Sequence, residues 1–315
     1  MNNSTLKKIV NVYQLQFQGF KPPGFGDFLR GCFSMAQYVN VVNEHFGTNI
    51  EFDIDICNHP MSKYMITPKV KPVVAYESLT EFVIIPKMVT DKESAAYMLQ
   101  EIVDRFNLLT VNSDGVYYGF CCKYEVYSEF KESDKEFIRS KLSPSPSMTQ
   151  YIDSVLDGLC LKAKEYSVIH VRCFDHDSFP PKPLTDSYFN TLDQLIKGSV
   201  EPGKYLLISN HNDIKEHYKN TYYTRESKIC HLGLDEAPPD DAVRDTMLDY
   251  YLISKAKNVI GITPYGICGF SQECAKLYNI PHKYVKFPDD SKNFTIAHMP
   301  PAQRMAYDLI CNSRI

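Results

Sequence analysis

The second half of the chain alternates between strand-like and helix-like segments. Apolar runs rich in β-branched residues predict buried strands, and amphipathic runs at helical spacing separate them. The predicted strands cover 167–171, 204–209, 227–234 and 257–263, and the predicted helices cover 148–165, 184–197, 211–220, 240–257 and 270–279. Strands that alternate with helices at this spacing form βαβ units with the strands parallel in one sheet. The sequence therefore predicts an α/β fold for this half.

The first half carries the same two patterns. Strands are predicted at 9–18, 50–57, 72–86 and 115–126, and helices at 27–47, 91–109 and 133–142, with one more helix in the tail at 300–311. In the first of these helices, Asp27 is the predicted N-cap and Gly47 the predicted end. The segment SPSPS at 143–147 is the strongest break in the chain;. We therefore expect two domains, 1–147 and 148–315.

Composition excludes several classes of protein. A length of 315 residues suits two domains, and a net charge of −4 gives no general attraction to nucleic acid or anionic membranes;. No segment reaches the roughly 18 apolar residues of a membrane span. The N-terminus has no sustained apolar run, and the ten cysteines form no CxxC pair. We expect a cytoplasmic protein with neither signal peptide nor membrane span, and with reduced cysteines.

The first candidate site follows the predicted strand 167–171. His170 lies inside this strand, Arg172 comes directly after it, and Asp175 and Asp177 lie in the next loop. Ligands of open α/β sheets bind beyond the carboxyl ends of the strands. An arginine there can donate two hydrogen bonds to a diphosphate, and a carboxylate can accept a proton. A structural ion pair between Arg172 and Asp175 is the alternative.

A second group of candidates surrounds the predicted strand 257–263. Arg244, Asp245 and Asp249 lie on the helix before it, and the two aspartates share a helix face;. After Thr263, a glycine-containing loop leads to Ser271, the predicted cap of the next helix. A serine N-cap with free backbone N–H groups can hold a phosphate, although ordinary helix capping gives the same pattern.

Two weaker signals lie in the first half. Gly24, Gly26 and Asp27 connect a predicted strand to a predicted helix, which favours either a backbone cradle for an anion or sugar, or a tight turn with a helix cap;. Asp53 and Asp55 form a DxD pair of the kind that binds a metal in some glycosyltransferases. Their strand alternation favours a solvated strand face instead;.

Four of these segments, in this order, resemble motifs of the fucosyltransferase superfamily that includes α-1,6- and protein O-fucosyltransferases. The segments are GFGDFLRG (24–31), HVRCFD (170–175), VRDTMLDYYLISKAKNVIGIT (243–263) and SQECAKLY (271–278). The resemblance is strongest over 165–177 and 240–280 and is negligible over about 50–160. It implies a GT-B fold, in which two Rossmann-like domains face each other across a cleft.

The resemblance also implies a reaction and a set of residue roles. The reaction is inverting transfer of a sugar, with L-fucose favoured, from a GDP-sugar to a glycan or protein hydroxyl, without a metal or other cofactor. Arg172 would bind the diphosphate, Ser271 a phosphate, and His170 and Asp249 the guanine. The loop with Gly24, Gly26, Asp27 and Arg30 would close over the donor, and Arg244, Thr263, Gly269 and Phe270 would complete its site. Asp175 is the first candidate for the base, then Asp177, then Asp27.

The sequence departs from the family pattern at three places. Cys173 replaces a second basic residue, TPYGICGF (263–270) replaces a shorter polar turn, and Asp27 stands where the family has asparagine. Two alternatives stay open. One is a metal-dependent transferase or hydrolase, such as a glycosyltransferase that uses a UDP-sugar, with Asp175, His176 and Asp177 as its metal site. The other is a non-catalytic relative that binds a nucleotide or glycan.

Overall fold

The computed structural model describes residues 6–15, 24–66, 114–121, 130–173, 184–228, 230–233, 237–264 and 268–288. Two parallel sheets and seven α-helices make up these parts of the chain. The strands are β1 (Lys8–Val12), β2 (Glu51–Asp55), β3 (Val116–Gly119), β4 (Ser167–Val171), β5 (Tyr205–Ser209), β6 (Asn258–Thr263) and β7 (His282–Lys286). The helices are α1 (Phe25–Phe46), α2 (Glu132–Lys141), α3 (Pro146–Gly158), α4 (Asp186–Lys197), α5 (Asn212–Tyr218), α6 (Asp240–Ser254) and α7 (Gly269–Leu277). The segments predicted at 72–86, 91–109 and 300–311 lie outside these ranges.

The second sheet has the order β5-β4-β6-β7, and all its neighbouring strands are parallel, as predicted. From β4 the chain moves to β5 on one side and then crosses to β6 on the other. This reversal makes the gap between the carboxyl ends of β4 and β6 the topological switch point, where open α/β sheets bind ligands. His170 pairs in register with Gly261 of β6, directly below that gap.

Helices cover both faces of this sheet because its strands are apolar on both sides. Alternate residues of the strands, such as Ile169 and Val171, pack with helices α4 and α5. The intervening residues, such as Val168 and Val259, join a core that includes α3, α6 and α7. His170 therefore points to the face that α7 covers, which brings it to the start of that helix.

The first sheet has the order β2-β1-β3, again with parallel strands. Helix α1 packs on one face through apolar side chains, and Asn11 in β1 bonds the backbone of Cys121 at 2.8 and 3.3 Å. Gly47 ends α1 with a φ of 61°, as predicted;. The N-cap is Gly24 and not Asp27, which lies in the first helical turn.

The DxD aspartates do not form a solvated strand face, so that interpretation is wrong. Asp55 is buried and accepts a hydrogen bond from the backbone of Cys57 at 2.9 Å. Asp53 pairs with Lys141 at 2.6 Å. Both carboxylates therefore bond to other groups of the protein, and these bonds fix the end of β2.

Two strand predictions in the second half need correction. The described part of 227–234 is not a strand, because the backbone N–H of Lys228 bonds the carboxylate of Asp245 at 2.9 Å, and Tyr223 bridges to β5 instead. Strand β7 has no counterpart in the sequence prediction. Its five residues include two lysines and are mostly exposed, so no apolar alternation marks it.

The two halves share one apolar core. Phe25 at the start of α1 packs edge-on against Tyr250 of α6, with their ring centroids 5.1 Å apart. Helix α3 begins at Pro146, capped by Ser145, so the predicted boundary at 147/148 falls in its first turn. The division into two domains stays a prediction.

No helix within the described ranges is both long and apolar enough to cross a lipid bilayer. A cytoplasmic location stays a prediction.

Candidate functional site

His170 is the residue of β4 that faces the start of α7. Its side chain is buried, and its Nδ1 atom lies 3.1 Å from the Sγ atom of Cys268. The ring of Phe270 lies beside it, with the ring centroids 5.9 Å apart. Cys268 and Phe270 flank the first residue of α7, so this contact joins the end of β4 to the start of α7.

Arg172 follows directly after β4. Its backbone N–H donates to the carbonyl of Ile262 at 2.9 Å, which continues the pairing with β6, and its side chain is partly exposed. Cys173 turns the other way, is buried, and contacts the hydroxyl of Tyr188 at 2.8 Å. The side chain of Asn210 accepts from the backbone N–H of Cys173 at 2.8 Å and thereby holds the segment after Arg172.

The start of α7 combines a helix N-terminus with buried polar atoms. The N-cap is Cys268, so the prediction that Ser271 caps the helix is wrong. Ser271 lies in the first turn and is fully buried. Its Oγ makes no hydrogen bond of regular geometry among the described residues, although it has a polar contact with the thiol of Cys268. A side chain on Gly261 would lie 3.6 Å from Ser271 Oγ and 2.9 Å from the Nε2 of His282. The glycine therefore leaves a small polar gap between these two atoms.

The electrostatics at this point are unusual for a buried thiol. Burial by itself would raise the pKa of Cys268, but electrostatic interactions with His170 and Arg172, together with the polar contacts of His170 and Ser271, outweigh it. They lower the pKa of Cys268 from 9.0 to about 6. Burial also lowers the pKa of His282 to about 4. Around neutral pH, the cluster thus combines the thiolate of Cys268 and the neutral ring of His282 with the guanidinium of Arg172.

The first turn of α1 packs directly against the first turn of α7. A Cβ atom on Gly26 would lie only 2.4 Å from the carbonyl carbon of Gly269, so the two backbones touch;. Arg30 is buried beside them and pairs with Glu273 at 3.2 Å and with Asp27 at 3.0 Å. Burial raises the pKa of Glu273, although Arg30 opposes it. These residues of the predicted donor loop hold the two helices together.

Gly24 lies at the edge of the same contact. A side chain there would approach the ring of His231 to 3.2 Å. Nearby, the Nε2 of His59 lies 2.7 Å from the carbonyl of Leu232, and the ring of His59 stacks on Tyr13 at 4.6 Å. The segment 230–233 is therefore fixed against the first sheet, next to the start of α1.

The acidic residues of α6 form a separate, ion-paired cluster. The guanidinium of Arg225 donates to Asp249 Oδ1 at 2.8 and 3.1 Å and to the backbone carbonyl of Asp245 at 2.7 Å. Arg244 pairs with the carboxylate of Asp245 at 3.2 Å, and its guanidinium lies over the ring of Tyr151 at 5.1 Å. Asp249 and Arg244 are both predicted donor-site residues. In the structure, each of them already contacts neighbouring side chains of the protein.

The structure thus brings some predicted residues together and leaves others apart. His170, Arg172, Gly269, Phe270 and Ser271 converge at the switch point, and Thr263 is buried at the end of β6 beside them. Gly26, Asp27 and Arg30 reach the same place from the first half. Asp175 and Asp177 lie outside the described residues. Their predicted roles stay predictions.

Four residues of this region escaped the sequence analysis. They are Cys268, Glu273, His282 and Arg225. Cys268 was counted only among the reduced cysteines. Its one sequence signal is its position just before the helix that contains Ser271. Arg225 lies in a charged loop without periodicity. Across the described ranges, no group of three or more histidine, cysteine or acidic side chains is arranged to hold a metal ion.

Comparisons with known proteins bear on the fold. No protein-family model matches the chain. No curated protein matches it either. Solved structures do match. NodZ α-1,6-fucosyltransferase soaked with GDP-fucose has a TM-score of 0.51 at 14% identity, with 90% of this chain and 95% of NodZ covered. A mutant of Arabidopsis thaliana FUT1 in complex with GDP has a TM-score of 0.54 at 10% identity, with 90% and 71% covered.

A second structure of NodZ, from Bradyrhizobium, gives a TM-score of 0.50 at 13% identity over 90% of this chain and 95% of NodZ. At such low identity, these matches establish the architecture. The chain has the predicted α/β, GT-B-like fold, the fold of solved fucosyltransferases.

Proposed function

We propose that the protein is an inverting, metal-independent glycosyltransferase. It moves a sugar, L-fucose first among the candidates, from a GDP-sugar to a hydroxyl of a glycan or protein. The observation that carries the proposal is the contact between His170 and Cys268. It places two motifs that are far apart in the sequence at one end of a parallel sheet, in a GT-B-like fold whose solved examples include fucosyltransferases in complex with GDP-fucose or GDP.

The switch point offers a suitable binding site for the diphosphate of the donor. Breaking the bond between sugar and phosphate leaves negative charge on the diphosphate. Arg172 and the backbone N–H groups of Gly269, Phe270 and Ser271 supply fixed positive potential for that charge. The unpartnered hydroxyl of Ser271 supports the same role, since a buried donor without a partner is costly unless a ligand accepts from it;.

The acceptor hydroxyl needs a base on the opposite face of the sugar. Of the three predicted candidates, Asp27 is paired with Arg30 at 3.0 Å. Its carboxylate is therefore already engaged by a side chain of the protein. We therefore propose Asp175 as the first candidate for the base and Asp177 as the second, with Asp27 last.

Asp249 is proposed to read the guanine. Both of its hydrogen bonds from Arg225 reach Oδ1, so Oδ2 can accept from a base N–H. Arg225 also fixes the carboxylate in one orientation. A carboxylate held in this way suits a base edge that carries N–H donors, which guanine has and uracil largely lacks.

One observation favours a second candidate, a relative that binds the nucleotide without transferring the sugar. Cys173 stands where the family has a second basic residue, and its side chain is buried against Tyr188 and not beside Arg172. The site therefore has one fixed positive charge fewer at that position. A transfer assay separates the two candidates, because only an enzyme consumes the donor.

The test is a thermal-shift panel of GDP, UDP, ADP and CMP, each with EDTA and with manganese, followed by a transfer assay with GDP-fucose. We expect a GDP-selective stabilisation that persists in EDTA. Arg172→Ala should weaken GDP binding roughly 10- to 100-fold, because it removes charge-assisted hydrogen bonds. Lys228→Ala, which removes an exposed cation paired with Asp241, is the matched control and should leave binding unchanged.

Other outcomes would contradict the proposal. A shift that prefers UDP and needs manganese would point to the metal-dependent alternative through Asp175 and Asp177. GDP binding with no transfer from any GDP-sugar, across a panel of glycan acceptors, would favour the non-catalytic candidate.

A further inference from the structure

We propose that Lys215 is a specificity-determining residue of the donor site. Its amine donates to the O6 atom of guanine, while Asp249 accepts from the N1–H and 2-amino groups of the same base. This inference rests on the proposed function, because it concerns the same ligand. It goes further by adding a residue that lies outside the four motifs and by naming the atom of the base that this residue binds.

Lys215 of α5 is buried, with 5% of its surface exposed. Lysine is seldom buried unless its charge is paired, and an ammonium group can donate three hydrogen bonds. Within the described part of the chain, the Nζ atom of Lys215 donates to the Oγ atom of Ser227 and forms no ion pair. Burial of a charge without a partner is costly, so a ligand that accepts from the remaining N–H groups would recover part of that cost.

The fold places this amine on the side of the sheet where the donor is proposed to bind. Helix α5 directly follows β5, and β5 pairs with β4, the strand that carries His170. Ser227, the partner of Lys215, comes two residues after Arg225. Arg225 in turn donates to Asp249 Oδ1 at 2.8 Å. The short segment 225–227 therefore connects the amine of Lys215 to the carboxylate of Asp249.

Lys215 and Asp249 interact through their charges although they form no ion pair. Burial lowers the pKa of Lys215 from its ordinary 10.5, and the charge of Asp249 is the largest effect that opposes this change. Asp249 takes both of its hydrogen bonds from Arg225 through Oδ1, which leaves Oδ2 for another donor. A ligand edge with N–H donors at one end and an acceptor at the other would therefore join Asp249 Oδ2 to the amine of Lys215.

Guanine has an edge of this kind. Its O6 atom is an acceptor, and its 2-amino group is a donor on the other side of N1–H. Adenine carries an amino group in place of O6, which would set a donor against the amine of Lys215. The two side chains thus favour guanine and oppose adenine, because a base that leaves buried polar groups unpaired is rejected.

The first experiment uses the wild-type protein and three nucleotides, with dissociation constants measured by calorimetry. In 6-thio-GDP a sulfur, which is a weak acceptor, replaces O6, whereas IDP keeps O6 and lacks the 2-amino group. We expect GDP to bind roughly 10- to 100-fold more tightly than 6-thio-GDP, because the charge-assisted hydrogen bond to O6 is weakened. Equal affinity for GDP and 6-thio-GDP overturns the inference.

The second experiment repeats these measurements with Lys215→Met, which keeps a long side chain and removes the amine. GDP should bind roughly 10- to 100-fold more weakly, and the preference for GDP over 6-thio-GDP should nearly disappear. The preference for GDP over IDP should persist, because Asp249 is unchanged. Lys219→Met is the matched control, since Lys219 is an exposed lysine at the end of α5 that pairs with Glu216, and it should behave as the wild type.

A further variant keeps the inference testable if Lys215→Met does not fold. Ser227→Ala retains the lysine and removes the hydroxyl that holds its amine. Its preference for GDP over 6-thio-GDP should decrease, although by less than in Lys215→Met, because the amine is present but no longer fixed. An unchanged preference in either variant overturns the inference.

The ratio of affinities also separates binding of the base from a purely structural role. If Lys215 only balances the charge of Asp249, Lys215→Met lowers stability and leaves the preference for GDP over 6-thio-GDP as it is in the wild type. That result overturns the inference and leaves the proposed function in place. Absence of binding of any guanine nucleotide to the wild-type protein overturns the proposed function, and the assignment of Lys215 with it.

Discussion

Two clusters carry the residues that the sequence assigns to the donor, and they differ in how their polar groups are satisfied. In the cluster at the switch point, Ser271 Oγ and His282 Nε2 are buried and lack hydrogen-bond partners among the described residues. In the cluster on α6, Asp249 has two hydrogen bonds from Arg225, and Asp245 accepts from Lys228 and Arg244. We call the switch-point cluster open, because it leaves buried polar atoms without hydrogen-bond partners. We call the α6 cluster paired, because its charges pair within the protein.

This difference separates two kinds of binding residue. Buried polar atoms without partners reduce the stability of the empty protein, and a ligand that pairs with them recovers that loss. Charges that are already paired contribute to the empty protein and gain less from a ligand. We therefore expect the switch point to provide most of the affinity for the donor, and Asp249 to provide selectivity for its base.

The largest effect is expected at the contact between α1 and α7, which lies beside the open cluster. Gly26→Ala places a methyl group 2.4 Å from the Gly269 backbone, so α1 and α7 must separate. We expect a loss of about 3 kcal/mol in the free energy of unfolding, measured in urea. Gly158→Ala is the matched control, since a side chain there meets nothing within 4 Å. An unchanged stability of Gly26→Ala would show that this contact does not hold the cluster.

An intermediate effect is expected in the paired cluster. Arg225→Leu leaves the largely buried carboxylate of Asp249 without its cation and removes the hydrogen bond to the carbonyl of Asp245. We expect a loss of about 2 kcal/mol in the free energy of unfolding without nucleotide. Lys228→Ala removes only an exposed ion pair and should change stability by less than about 0.5 kcal/mol;. Equal effects of the two variants would contradict the description of this cluster as internally paired.

The smallest effect on stability is expected in the open cluster. Ser271→Ala removes a buried hydroxyl that has no hydrogen-bond partner, so the nucleotide-free protein should change by no more than about 0.5 kcal/mol;. The stabilisation by GDP should nevertheless decrease. A marked loss of stability without nucleotide would mean that the hydroxyl is satisfied within the protein, and the contrast between the clusters would disappear.

The order of the elements was predictable because it depends on local patterns. Apolar β-branched runs marked β4, β5 and β6, and helical spacing marked the helices between them. The strand predicted at 227–234 failed because its apolar pattern was outweighed by tertiary contacts, namely the bond from Lys228 to Asp245 and the pairing of Tyr223 with β5. Strand β7 was missed because a short, charged edge strand has no apolar period.

The roles of individual side chains were less predictable. Arg30 and Gly26 belong to a motif that suggested donor binding, and the structure also uses them to pack α1 on α7. Ser271 was expected to cap its helix, but Cys268 caps it. A motif identifies which residues come near a site. It does not reveal which of them touch each other.

The sequence by itself determined the parallel sheet and the position of His170 and Arg172 at the end of one of its strands, because strand periodicity and βαβ alternation are local properties. Only the tertiary structure decided the partners of those residues. Cys268 lies 98 residues from His170, and Glu273 lies 243 residues from Arg30. Such contacts depend on how strands and helices pack at a distance, and the neighbours that packing brings together then set the charge of a group against the effect of burial. The low pKa of Cys268 is a product of that packing.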